Sequence, residues 1–245
     1  MKHALRTAAT ALLLPSSALA QDGLAFSLGV DWIYKQLTLE EKFGGVGVTN
    51  EYKPKFWMFG ISPSVAWRGF FVSLGIERSV GNSSTASYSN NGTFYQMRTW
   101  ERQENSASIG YNVWRGLSVF GGYLKNKTTS DLQAGARFDY TEEGPYYGLG
   151  YAHRFGTGTL SGSLAYTDAK GRVHADPGGF LDQGGDIKGQ SFGLVWSAPI
   201  SGSWHYRIGY KGTRYEFEFF DPNFAENRTT KQAYDAFFLG VANYF

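Results

Sequence analysis

Histidines and paired carboxylates are the side chains that most readily activate water near neutral pH, so they are placed first. The chain has four histidines and no cysteine. His3 stands near the start, and His153 and His205 lie beside glycine turns at Gly156 and Gly202. Only His174 sits in a long polar connection, in the string His174-Ala175-Asp176-Pro177, with Asp168, Asp176, Asp182 and Asp186 nearby. A hydrolase would need one of these acids to orient His174 as a base, or two carboxylates to share a water. No Asp-Asp or Asp-x-Asp pair occurs. Asp182 to Asp186 carries too few carboxylates for a calcium loop, and the lack of cysteine removes thiolate metal sites and thiol nucleophiles. The expectation is no catalytic residue, no metal and no cofactor.

The remaining charges form a different pattern. Asp31, Lys35, Arg68, Glu77, Arg98, Arg102, Glu104, Arg154, Arg207 and Lys211 recur on one parity of alternating segments. Seven are basic and three acidic. The other parity carries aromatic and branched residues, and successive strand residues point to opposite faces. Such charges share a confined interior, where they must pair or meet water. Two outcomes follow: an ion-paired plug, or a slim water-filled passage with a cationic lining that favours small anions.

The elements that must position them are strands. The first runs from about Leu24 to Leu37 with Leu24, Phe26, Leu28, Val30, Trp32 and Tyr34 on one face. The last ends the sequence, with Phe237, Leu239, Val241 and Phe245 on one face and Phe238, Gly240, Ala242 and Tyr244 on the other. Between them, short turns recur at Gly69, Gly116, Gly156 and Gly202, and two of them read Trp67-Arg68-Gly69-Phe70 and Trp114-Arg115-Gly116-Leu117. Long polar connections alternate with the turns; those at Gly81 to Gly92, Thr128 to Gly144, Gly171 to Asp186 and Asp221 to Thr230 are the expected partner-binding loops. Pro63 predicts a bulge or break in the second strand, and the aromatic parity of the ninth strand changes near Gly212. Ten strands result, with eight or twelve as alternatives.

Met1 to Ala20 reads as a secretory leader: Lys2 and Arg6, an apolar stretch from Ala8 to Leu14, and a small-x-small site at Ala18-Leu19-Ala20. Residues 21–245 would then be one domain. Without Lys2 and Arg6 the chain holds 21 basic and 21 acidic residues, so no nucleic-acid partner is expected. Seven Trp, 16 Tyr, 19 Phe and 32 Gly suit strands that set large rings toward lipid and small residues inward. Trp67, Trp114, Trp196, Trp204, Tyr206 and Tyr244 fall near the short turns; Trp32, Tyr34, Trp57, Tyr123 and Tyr166 fall toward the long connections. Two interfacial belts in a bilayer account for both groups. In lipid no strand edge can be left unpaired, so alternation without helices implies closure.

These features, and the terminal strand above all, resemble bacterial outer-membrane β-barrel proteins. The resemblance implies an all-β, transmembrane, antiparallel up-and-down barrel in the cell outer membrane. It also implies that Phe237, Leu239, Val241 and Phe245 form the signal read by the barrel-assembly machinery. The long ninth strand resembles the vase shape of ten-stranded barrels such as omptin proteases and opacity-type adhesins, in architecture only. The first expectation for function is a narrow pore or small-solute passage. The alternative is a non-conducting surface protein whose loops bind a partner, and a surface hydrolase ranks third.

Overall fold

The computed structural model describes residues 23–43, 48–81, 83–89, 94–132, 137–176, 182–221 and 226–245. The leader reading, Met1 to Ala20, lies outside them. The strands are β1 (Leu24–Phe43), β2 (Val48–Tyr52), β3 (Lys55–Trp67), β4 (Phe70–Ser79), β5 (Ser83–Ser89) and β6 (Phe94–Trp114). They continue as β7 (Leu117–Leu132), β8 (Arg137–Phe155), β9 (Gly158–Asp176), β10 (Asp182–Ser201), β11 (Trp204–Asp221) and β12 (Glu226–Tyr244). β2 prolongs β3 along β1, and β5 prolongs β4 along β6. The wall therefore has ten antiparallel staves, and β12 pairs with β1 to close it. Closure leaves no free edge, as a lipid environment demands.

The seam runs the full length of the barrel. Ser27 to Lys42 register against Tyr244 to Thr229. Phe245 adds two further bonds, donating its amide to the Phe26 carbonyl at 3.0 Å and accepting from the Phe26 amide at 2.8 Å. The two rings stack with centroids 6.3 Å apart.

Two sequence features are accommodated without a change of backbone register. Pro63 produces no register slip: β3 keeps one register against β1 throughout, and against β4 the pairing lapses only between Ile61 and Ser64. The missing amide of proline removes a rung without inserting a residue. Likewise β11 is in continuous register with both neighbours past Gly212. The backbone does not change phase there; the aromatic residues change sides.

That change divides the barrel into two zones. In the short-turn half the outward face is apolar: Leu24, Phe26, Trp67, Phe70, Leu164, Leu194, Ile208 and Leu239 are all exposed. The inward face there holds small residues and a few rings, Ala66, Phe71, Phe120, Leu124, Tyr146, Ala152 and Ala165. In the other half the faces exchange chemistry. Leu37, Leu39, Tyr52, Phe56, Met58, Trp100, Ile187, Tyr215 and Phe217 point inward and bury one another. Outward stand Lys125 with Glu143, Lys127 with Asp139 and Arg214 with Asp235, paired at 2.7–2.8 Å, and Lys170 with Asp186. A wall facing hydrocarbon must be apolar outside, and one facing water must bury its apolar residues inside.

The same rule explains the loops. The connections read from Gly81 to Gly92, Thr128 to Gly144, Gly171 to Asp186 and Asp221 to Thr230 are largely ladder in the structure. β5, the ends of β7 and β9, and the starts of β8, β10 and β12 occupy them. Their Ser, Thr, Asn and charged residues read as loop because outward alternation of greasy residues ceases where a strand leaves the lipid. Strands of 16 to 21 residues, such as β7 and β6, exceed the roughly 9–11 needed to cross a bilayer.

Two of the short turns carry a cost. Arg68 and Gly69 have φ of 49° and 85°, and Arg115 and Gly116 have 30° and 92°. Two central residues at positive φ define a type I′ turn, whose twist matches the flanking strands. An L-residue at positive φ brings its Cβ close to the following carbonyl, at about 1–2 kcal/mol. In the other two short turns the first central residue is a glycine, Gly156 or Gly202, at φ 57° and 56°.

Candidate functional site

The interior at mid-height is built by inward positions of β1, β4, β6, β8, β11 and β12. Asp31 and Lys35 come from β1, Glu77 from β4, Arg102 and Glu104 from β6, Glu142 from β8, Arg207 and Lys211 from β11 and Tyr234 from β12. Lys35 Nζ lies 2.8 Å from Glu77 and 2.6 Å from Glu104. Lys211 approaches the same two carboxylates at 3.4 and 3.6 Å. Arg102 donates to Glu104 at 2.5 Å, to Glu142 at 3.3 Å and to the Tyr234 hydroxyl at 2.8 Å, and it also bonds Thr128. The Tyr234 hydroxyl and Asn126 amide reach Glu142 at 2.6 and 3.1 Å. Closer to the short turns, Arg207 grips Asp31 with two nitrogens and Ser62 at 3.3 Å.

Glycines make room for that last pair. A Cβ on Gly29 would overlap the Arg207 guanidinium and the Ser62 hydroxyl, and one on Gly240 would overlap the Asp31 carboxylate. Substitution at either would push the ion pair apart.

Lys35, Lys211 and Arg102 thus meet Glu77, Glu104 and Glu142 in one network, with Arg207 and Asp31 as a separate pair beside it, and the formal charges of each cancel. Lys35, Arg102, Arg207 and Glu142 are each no more than 2% exposed. Burial on this scale is tolerable only when every charge has an opposite neighbour and its remaining donors are used. Among the described residues the spaces beside the network are small: a cavity of about 50 Å³ lined by Ser27, Ser64, Ser73, Ser108 and Lys211, and one of about 20 Å³ beside Arg102 and Thr167. The serines pair across strands, Ser27 with Ser64 at 2.6 Å and Ser73 with Ser108 at 2.8 Å.

Of the ten charges assigned inward from sequence, seven are brought together: Asp31, Lys35, Glu77, Arg102, Glu104, Arg207 and Lys211. Arg98 is also buried but sits apart, its guanidinium over the rings of Tyr52, Phe138 and Trp100 at 4.4, 5.1 and 5.9 Å. Arg68 is a correction. It occupies the first central position of a turn, exposed, over the Trp67 ring at 5.0 Å, because β3 ends at Trp67 and strand parity no longer applies. Arg154 is a second correction: it keeps the lumen-side parity of Ala152 but stands exposed at the rim, beyond the filled interior.

Glu142 and Tyr234 were missed. Glu142 lay in a stretch read as loop, although Tyr140, Glu142, Gly144 and Tyr146 continue the period-two pattern of Gly148 and Gly150. Adding Glu142, removing the two rim arginines and setting Arg98 apart on its aromatic rings leaves four bases and four acids, a neutral set in place of a cationic lining.

The outward aromatics cluster at two heights. Trp67, Trp114, Trp204 and Tyr206 are exposed near the short turns, where the Trp196 indole also donates to the Tyr206 hydroxyl at 3.1 Å. At the other height Trp32 stacks on Trp57 at 5.9 Å, Tyr34 meets Trp57 at 5.0 Å, and Tyr147 meets Tyr166 at 5.5 Å. Tyr123 is exposed there too. Tyr244 departs from this set, because it shares the inward parity of Ala242 and meets the His205 ring at 4.8 Å. Phe237, Leu239, Val241 and Phe245 all face outward and exposed.

Of the candidate hydrolytic residues, His174 and Asp182 are brought level: His174 is on the outward, exposed face of β9, registered against Asp182 of β10 on one side and Asp139 of β8 on the other. Asp139 is engaged by Lys127 at 2.8 Å and Thr129 at 2.8 Å. His153 and His205 lie at the short-turn rim. Among the described residues no group of three or more His, Asp or Glu could hold a metal ion.

No protein-family model matches the sequence, and no curated protein matches it. Solved structures do. The outer membrane protease OmpT from Escherichia coli superposes with a TM-score of 0.61 at 12% identity, over 94% of this chain and 100% of that one. The translocator domain of the autotransporter NalP from Neisseria meningitidis gives 0.43 at 15% identity over 89% and 88%. The toluene transporter TodX from Pseudomonas putida gives 0.37 at 12% identity over 93% and 91%. The likeness to OmpT, at this identity, is one of fold: a closed ten-stranded antiparallel barrel of the outer-membrane type.

Proposed function

We propose that this chain is an exported outer-membrane barrel that does not conduct, and that its water-facing upper wall binds a partner at the cell surface. The observation that carries the reading is the packed apolar interior above the ion network. Leu37, Leu39, Phe56, Met58, Trp100, Ile187 and Phe217 are each no more than 2% exposed, and they come from β1, β3, β6, β10 and β11, around most of the circumference. A passage needs a continuous polar path. Here an aromatic and aliphatic layer lies directly over a neutral, mutually satisfied charge layer. The geometry therefore favours the surface-binding alternative over the narrow pore.

The upper wall suits such a role. Its strands project beyond the apolar band on a rigid core, and a concavity of about 510 Å³ opens on its outer side. Glu40, Tyr166, Lys188, Arg214, Glu216 and Lys231 are among its lining. Polar groups of both signs on a stiff sheet favour selective recognition. In this reading the short turns face the periplasm, and the outward face of β12, ending in Phe245, is what the assembly machinery reads.

Planar-bilayer recording of the purified, membrane-inserted chain tests the proposal. No unitary current steps are expected at any holding potential; a reproducible conductance from the unmodified chain would refute it.

A further inference from the structure

The repeated Trp-Arg-Gly turn has no part in the lumen or the upper wall. Arg68 and Arg115 hold positions where the other two short turns carry glycine, and they do so at positive φ. A strained arginine retained twice, on neighbouring hairpins, calls for a use of the guanidinium itself. The two hairpins belong to one arc of the rim. Asn112 of β6 donates its amide to the Gly69 carbonyl at 2.9 Å, and Ala152 of β8 donates to the Gly116 carbonyl at 2.9 Å.

The local chemistry is one-sided. Each guanidinium lies over the indole before it, at 5.0 Å for Arg68 on Trp67 and 5.8 Å for Arg115 on Trp114. Neither makes a hydrogen bond or ion pair among the described residues, and neither turn contains a carboxylate. Stacking fixes the plane of an arginine while leaving its edge N–H donors free, a fork that matches two oxygens of a phosphate. Immediately beside these turns the wall is greasy, with Trp67, Phe70, Tyr111, Val113 and Trp114 exposed. An anion held here must be one whose attached body is content against hydrocarbon.

We infer that Arg68 and Arg115 form a docking site for the phosphate of an anionic phospholipid, with its acyl chains along the outward face of β3, β4, β6 and β7. This rests on the membrane embedding proposed above but not on whether the lumen conducts. Arg154, exposed at the same rim on the lumen-side parity, lies outside the site.

The test uses the processed chain in neutral detergent and native mass spectrometry of bound phosphatidylglycerol, with phosphatidylcholine and inorganic phosphate as comparison probes. Arg68→Gly with Arg115→Gly removes both forks and relieves the backbone, so unfolding resistance is expected to hold or rise while phosphatidylglycerol binding weakens about thirtyfold, each arginine contributing roughly a fivefold factor. Arg154→Gln is expected to leave binding unchanged, and millimolar inorganic phosphate to displace little lipid. Undiminished phosphatidylglycerol binding in the double variant, equal retention of phosphatidylcholine, or full displacement by free phosphate would each overturn the inference. Failure of the unmodified chain to insert into vesicles would instead strike the membrane reading.

Discussion

Arg102 holds together more of the interior than any other described residue, since it touches Glu104, Glu142, Thr128 and Tyr234 at once. Its removal would leave Glu142 buried beside hydroxyls and an amide alone. Arg102→Met is expected to cost about 3–5 kcal/mol of unfolding free energy, the usual penalty for orphaning a buried charge. Adding Glu142→Leu should recover most of it, so a denaturant series in lipid vesicles on the two single variants and the double gives a large favourable coupling. Equal, additive losses would mean the pair is not coupled. The outer wall responds to acid instead. Burial alone would raise the Asp139 carboxyl, but hydrogen bonds from Lys127 and Thr129 and the charges of Lys127 and Arg137 outweigh it and hold the group below its ordinary value. A depressed folded value contributes stability above the unfolded value, about 3.9, and that contribution is lost as pH falls through the folded value. Asp139 should therefore titrate below about pH 3.9 by carbonyl-carbon NMR, and Lys127→Ala should move the midpoint upward. At this scale the sequence showed which parity carried charge. It could not show where a strand stopped, so Arg68 was given a lumen position that a turn denies it.

On β11 the backbone keeps one register while the side chains exchange roles. Tyr206, Ile208 and Tyr210 face outward below, whereas Tyr215 and Phe217 face inward above, with Glu216 and Glu218 exposed to water. Adjacent residues should therefore respond very differently. Phe217→Ala is expected to lose about 3–5 kcal/mol through the cavity it leaves, while Glu218→Ala stays within about 0.5 kcal/mol. Unfolding midpoints by tryptophan fluorescence would check this; comparable effects at the two sites would mean the upper interior is not packed. The parity change near Gly212 was visible in the sequence, and so was the length of the strand. The upper ends of β7, β8, β9 and β10 were not, because no large outward residue marks a strand once both its neighbours and its solvent are polar. Only the inward residues, Tyr140, Glu142, Val173 and Ile187, kept the period there.

The whole molecule is a closed cylinder whose membrane half is turned inside out relative to its upper half. Strand number, closure and the outward aromatic clusters were legible because lipid imposes one strict rule on every strand that meets it. The neutrality of the ion-paired layer was not, since it depends on which side chains from β1, β4, β6, β8 and β11 reach one another. Sealing and inversion together make up the central claim, and site-directed spin labelling along β11 in lipid vesicles addresses both. Labels at 206, 208 and 210 should collide with oxygen, those at 214, 216 and 218 with a water-soluble nickel chelate, and those at 213, 215 and 217 with neither. Oxygen contact persisting outward to 218, or chelate reaching 213, 215 or 217, would contradict it.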